Sequence, residues 1–105
     1  MLAVSRGWSP QARFGLPGGL VEPGEPPALA AVRELGEETG LRPAAPVVPL
    51  AVLHSGHTRM HVYGVDRVAG RLTSSHEGLA AWVPAPEVER GPFGRENKML
   101  FKVLY

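Results

Sequence analysis

Glu34, Glu37 and Glu38 stand close together in the run RELGEETGL that begins at Arg33. If that run is helical, each residue advances by about 100°, and counted from Ala28 the three carboxylates fall at about 240°, 180° and 280°. They share one face, while Ala28, Val32 and Leu35 occupy the opposite one and Ala31 sits at the border. Like charges at these spacings destabilise an isolated helix, so the face predicts a positive counterpart. Arg33 can pair with one carboxylate, and Glu25, near the helix start, is another candidate partner for it. One arginine cannot neutralise three or four acids. A hard divalent cation can, and clustered carboxylates with a backbone carbonyl suit Mg²⁺ or Mn²⁺. The turn Pro17-Gly18-Gly19 lets the backbone come close to such a cation and to a phosphate. The site therefore points to phosphoryl chemistry, in which a metal neutralises developing charge and lowers the pKa of a bound water.

The bland alternative for an acidic helical face is a solvated surface, and the wider spacing decides against it. Gly19 to Leu41 reads GLVEPGEPPALAAVRELGEETGL. It resembles the Nudix box, the signature of Nudix hydrolases, at every specified position: Gly19, Glu25, Arg33, Glu34, Leu35, Glu37, Glu38, Gly40 and Leu41. At ordinary residue frequencies so many matches arise by chance at on the order of one in a billion start sites. The resemblance implies an α/β (α+β) fold, a mixed β-sheet sandwiched between helices, with the box as a loop–helix–loop. It implies Mg²⁺- or Mn²⁺-dependent cleavage of a nucleoside diphosphate linked to another group. Carried across by position, Glu37 and Glu38 are expected as metal ligands, and Glu34 as a ligand or as the base that activates water. Arg33 would orient a glutamate, and the carbonyl of Gly18 would be a further ligand. Glu77, before the apolar strand with Trp82, matches a region where an acid often completes the metal site or serves as base. Arg6 resembles a position that often touches substrate phosphate.

Other residues carry weaker signals. Trp8 and Phe14 are candidates to stack on a nucleobase, whereas Trp82 reads as core. His54, His57, His61 and His76 have no recognised zinc spacing and no cysteine beside them. His54 or His57 is instead a candidate loop contact to a phosphate or base. No tyrosine or proline follows the box where dinucleoside-polyphosphate or ADP-ribose subfamilies carry one, and no coenzyme A or NADH signature is visible. A nucleoside triphosphate or an ADP-sugar is the substrate expectation. A non-catalytic Nudix-fold domain that senses a nucleotide is the alternative, as is a fragment that only mediates contacts. Such modules usually lose a box glutamate or the arginine, and here none is lost.

The elements that must position these residues follow from periodicity. Leu2 to Arg6 and Phe14 to Leu16 read as strands, and Pro26 and Pro27 suit the first turn of a helix running to about Thr39. Gly40 stands where helices commonly end in a left-handed residue. Gly36 costs that helix about 1 kcal/mol relative to alanine, which predicts close packing against a neighbour. Val47 to Leu53 and Arg59 to Val65 read as strands joined by Ser55-Gly56-His57, and Ala69-Gly70 as a turn before Arg71-Leu72-Thr73. Leu79 to Val83 is a further strand, and a second helix is expected at about Arg95 to Leu104. The 105 residues amount to one domain. A net charge of +1 gives no footprint for nucleic acid or membrane, and the absence of cysteine and of any long apolar run fits a soluble cytoplasmic domain. Family members usually carry a strand before the one matching Leu2 to Arg6, so a truncated N-terminus is expected. That strand would then expose an unpaired edge, so self-association as a symmetric homodimer, or poor solubility, is expected.

Overall fold

The computed structural model describes residues 2–5, 14–75, 78–83 and 86. Its organising element is a helix, α1, over Pro27–Thr39. Pro26 is the extended N-cap, with φ −62° and ψ 141°, and its carbonyl accepts from the Leu29 and Ala30 N–H groups at 3.0 and 3.1 Å. Pro27 enters the first turn, where its missing N–H leaves nothing unpaired. At the other end Gly40 adopts φ 75° and its N–H donates to the Gly36 carbonyl at 2.9 Å. The Thr39 side chain, fully buried, donates through Oγ1 to the Leu35 carbonyl at 2.6 Å and accepts from the Leu41 N–H at 3.2 Å. One hydroxyl thus ties the last helical turn to the strand that follows.

Seven strands are described: β1 Leu2–Ser5, β2 Phe14–Gly15, β3 Leu41–Pro43, β4 Val48–Ser55, β5 Thr58–Gly64, β6 Val68–Gly70 and β7 Ala80–Trp82. They form a sheet in the order β2-β1-β7 and two ribbons, β3-β6 and β4-β5, and every described ladder is antiparallel. β4 and β5 meet through a turn at Gly56-His57, and their register slips between Pro49 and Ala51. Proline cannot donate to a ladder, and a bulge is where a strand accommodates one. The buried apolar core draws on Ala30 and Leu35 of α1, Leu41 of β3, Leu53 of β4 and Ala80 of β7.

Several expectations change. β1 is no bare edge: β2 pairs with Val4 and Ser5 on one side, and β7 with Leu2, Ala3 and Val4 on the other. The edge expected to be bare is thus paired at Val4 and Ser5. Ala69-Gly70 is not a turn but part of β6, paired with Leu41 and Arg42. Gly70 is glycine there because its φ is 103° and a Cβ would lie 2.9 Å from the Gly40 carbonyl oxygen. Trp82 is not core, being 59% exposed at the end of β7 opposite Leu2. Gly36 does not pack closely either. It is exposed, and a Cβ would meet only the Leu41 carbonyl oxygen at 3.8 Å. The second helix expected at 95–104 lies outside the described residues.

Gly36 within the helix and Gly40 just past its end should therefore respond in opposite directions to alanine. Gly36→Ala adds an unobstructed methyl and removes glycine's backbone freedom, so thermal unfolding is expected to show a gain approaching ~1 kcal/mol. Gly40→Ala forces a left-handed alanine and sets its methyl 2.7 Å from the Arg71 carbonyl oxygen. A loss of at least ~2 kcal/mol is expected in the same experiment.

Candidate functional site

The acidic face of α1 is only partly open to solvent, with Glu37 exposed and Glu38 buried where the loop before the helix folds back along it. Gly18 donates its N–H to Glu38 Oε2 at 2.9 Å, which accompanies the near-complete burial of Glu38 at 4% exposure. A Cβ on Gly19 would fall 2.6 Å from the Glu34 carboxyl carbon, so glycine here lets the Glu34 carboxylate lie against the loop. Ala30, on the acidic side of the helix, is buried, while Leu29 is 59% exposed.

Arg33 is the hub of the cluster. Its Nε and Nη2 donate to the two oxygens of Glu25 at 2.9 and 3.0 Å, a side-on bidentate pair. Nη2 also reaches the Leu20 carbonyl at 3.1 Å. Nη1 donates to Glu34 Oε1 at 2.9 Å and to Glu37 Oε2 at 3.3 Å, with Glu22 Oε1 at 3.8 Å. Glu25 accepts in addition from the Glu22 N–H at 3.0 Å, and its own N–H closes a turn onto the Glu22 carbonyl at 3.0 Å. The hydrogen bonds from Arg33, then that from the Glu22 N–H, hold the Glu25 carboxyl below its ordinary range. Glu25, followed by Glu34, makes the Arg33 guanidinium harder still to deprotonate. The sign for stability follows from the lowered carboxyl. The pair's contribution is complete above the ordinary glutamate range and is lost as pH falls through the lowered value.

The structure thus assembles Gly18, Arg33, Glu34, Glu37 and Glu38 in one place, joined by Glu25 and Glu22. Arg6 and Glu77 lie outside the described residues, as do Trp8 and His76, and Phe14 is described only as part of β2. His54 ends up in β4 and His57 in the hairpin turn, both exposed. Sequence reasoning missed the Leu20 carbonyl and the Gly18 N–H, because backbone groups leave no residue-type signature.

The donor set fits a hard divalent cation in kind: three carboxylates (Glu22, Glu34 and Glu37) border a guanidinium whose other edge is taken by Glu25, and Glu38 stands on the same helical face against the Gly18 N–H. In the arrangement seen, no three His, Asp or Glu side chains among the described residues converge as a ready-made cation site. Glu34 and Glu37 are turned to Arg33 instead. The apposition of Gly19 and Glu34 gives a direct check. Gly19→Ala should displace the Glu34 carboxylate, a movable side-chain end, rather than the backbone. Turnover is expected to fall about a hundredfold with the melting temperature nearly unchanged. Kinetics and thermal unfolding on one preparation separate the two effects.

The chain is similar to several known proteins. A curated relative, the CMP-5'-(N-acetyl-N-hydroxy-3-aminopropyl)phosphonate hydrolase of Streptomyces rubellomurinus, is 38% identical over 81 residues, covering 69% of this chain. The chain spans only 38% of that protein's length. The E. coli ORF135 protein superposes with a TM-score of 0.73 at 27% identity, over 98% of this chain and 79% of that one. The MutT NUDIX hydrolase of Burkholderia pseudomallei gives 0.77 at 23% identity, over 99% and 87%. A MutT structure from work on Aliivibrio salmonicida and Vibrio cholerae gives 0.77 at 22%, over 98% and 83%. At their identities the two MutT likenesses speak to the fold alone. No helix among the described residues is long and apolar enough to cross a membrane. The model of the NUDIX domain matches residues 1–103, nearly the whole chain, and with the box intact on α1 the protein belongs to the Nudix hydrolase family.

Proposed function

We propose that this chain hydrolyses a diphosphate linkage in a nucleoside diphosphate derivative, a nucleoside triphosphate or an ADP-sugar, with Mg²⁺ or Mn²⁺ as cofactor. The observation that carries this reading is the Arg33-centred cluster, in which Glu34, Glu37 and Glu38 share one face of α1 against the Gly18-Gly19 turn. Glu34, Glu37 and Glu38, with the Gly18 carbonyl, are the groups that would hold the ion. A divalent ion there supplies positive charge against the phosphoryl oxygens and makes water more acidic. Arg33 acts as a positioning residue that fixes Glu34, and Glu34 or Glu77 takes the proton from water. Arg6 and Phe14 take the substrate's phosphate and base. The name of the Streptomyces relative supports a nucleotide joined through phosphorus as the substrate class.

Phosphate and pyrophosphate release tests the reading, across nucleoside triphosphates, ADP-sugars and CMP-linked compounds with and without Mg²⁺. The expected result is metal-dependent release of a nucleoside monophosphate from at least one class. Tight nucleotide binding without turnover would overturn it in favour of a sensor domain.

A further inference from the structure

Arg33 presents two edges to different kinds of partner. Nε and Nη2 face both oxygens of Glu25, whose side chain is 16% exposed, and Nη2 adds the Leu20 carbonyl. Nη1 turns the other way and is a single nitrogen shared by Glu34 at 2.9 Å, Glu37 at 3.3 Å and Glu22 at 3.8 Å. Of these three, Glu37 and Glu22 have exposed side chains, at 59% and 65%. The first edge is a bidentate, partly buried lock. The second is a loose counter-charge. Because Nη1 sits between Glu34 and Glu37, these two carboxylates are already satisfied, and no trio of acids is set for a cation among the described residues.

We infer that Arg33 Nη1 is a displaceable placeholder for the divalent cation: ion entry transfers the Glu37 carboxylate from Nη1 to the ion, while the Nε/Nη2 edge stays locked on Glu25. This rests on the metal reading given above. Glu37 is the carboxylate that changes hands, because its bond to Nη1 is the longer and more exposed one. Exposed pairs of this kind hold weakly. The Glu25 edge does not open, because two parallel hydrogen bonds and the Leu20 carbonyl must break together. Arg33 then has two opposed effects. It holds like charges together when the ion is away, and it competes with the ion for Glu37 when the ion arrives. The affinity for metal is therefore lower than the same carboxylates would give without it.

A double-mutant cycle read by free Mn²⁺ in electron paramagnetic resonance tests this. Arg33→Gln alone is expected to tighten Mn²⁺ binding about three- to fivefold, the factor that matches an exposed ion pair. With Glu37→Gln already in place the carboxylate that changes hands is gone, and the gain from Arg33→Gln should shrink to less than about twofold. An equal gain in both backgrounds would mean through-space charge alone and would overturn the exchange. Should Arg33→Gln not fold, the native chain carries the test by itself, labelled with ¹⁵N-arginine and titrated with Mg²⁺. The Arg33 Nε–H should keep its slow exchange with solvent while exchange at Nη1, which gives up Glu37, becomes faster. Both edges unchanged, or both released, with the ion bound would also overturn it. A protein that binds neither ion would instead overturn the metal reading, and this inference along with it.

Discussion

Glu38→Gln is expected to cut turnover about a thousandfold at saturating Mg²⁺ while the chain stays folded. Glutamine matches the size of this nearly buried side chain and keeps an oxygen able to accept the Gly18 N–H, so loop and helix stay joined. What it removes is the charge. A metal site contributes several kcal/mol to a phosphoryl transition state, and each ~1.4 kcal/mol is a factor of ten in rate. Stability without metal should hold or rise, since a neutral amide is easier to bury than a carboxylate and crowds Glu34 and Glu37 less. Steady-state kinetics beside circular dichroism makes the measurement. Wild-type turnover in this variant would take Glu38 out of the metal site.

Arg33→Lys should lower turnover about a hundredfold with little change in KM. The native side chain satisfies Glu25 with one edge and Glu34 with the other at the same time. Lysine keeps the charge but has one nitrogen, and it cannot reproduce a planar fork that spans two carboxylates. Glu34 is then left free to swing. The lowered Glu25 carboxyl keeps the native pair ionised at neutral pH, so assays there compare an intact pair with a broken one. Unchanged turnover with a raised KM would instead place Arg33 on the substrate.

The parts of this molecule that could be read in advance are those whose cause is local. The helix at 27–39, its left-handed end at Gly40 and the hairpin turning at Gly56-His57 all follow from proline, glycine and apolar spacing within a few residues. The co-facial acids follow from helical geometry, and the box from its spacing. What escaped depends on contacts distant in sequence. β3 and β6 are three residues each, hold a proline and a glycine, and exist because the helix end brings them together. Gly70 reads as a turn signal until the Gly40 carbonyl is seen beside it. Trp82 reads as core by its size, yet its place at a strand end leaves it exposed. The burial of Glu38 was hidden for the same reason, since the Gly18 N–H that meets it comes from a loop 20 residues away in the chain.

The last turn of α1 holds Glu37 and Glu38 and no basic residue. A helix gathers partial negative charge at its C-terminus, where most proteins place lysine or arginine, and each misplaced charge there costs roughly 0.3–1 kcal/mol. This helix therefore works against its own macrodipole at the turn nearest Gly40. Any cation that settles on those carboxylates relieves two repulsions at once: acid against acid, and acid against the helix end. The stability that the last turn forgoes is the electrostatic potential that such a cation would feel on approach.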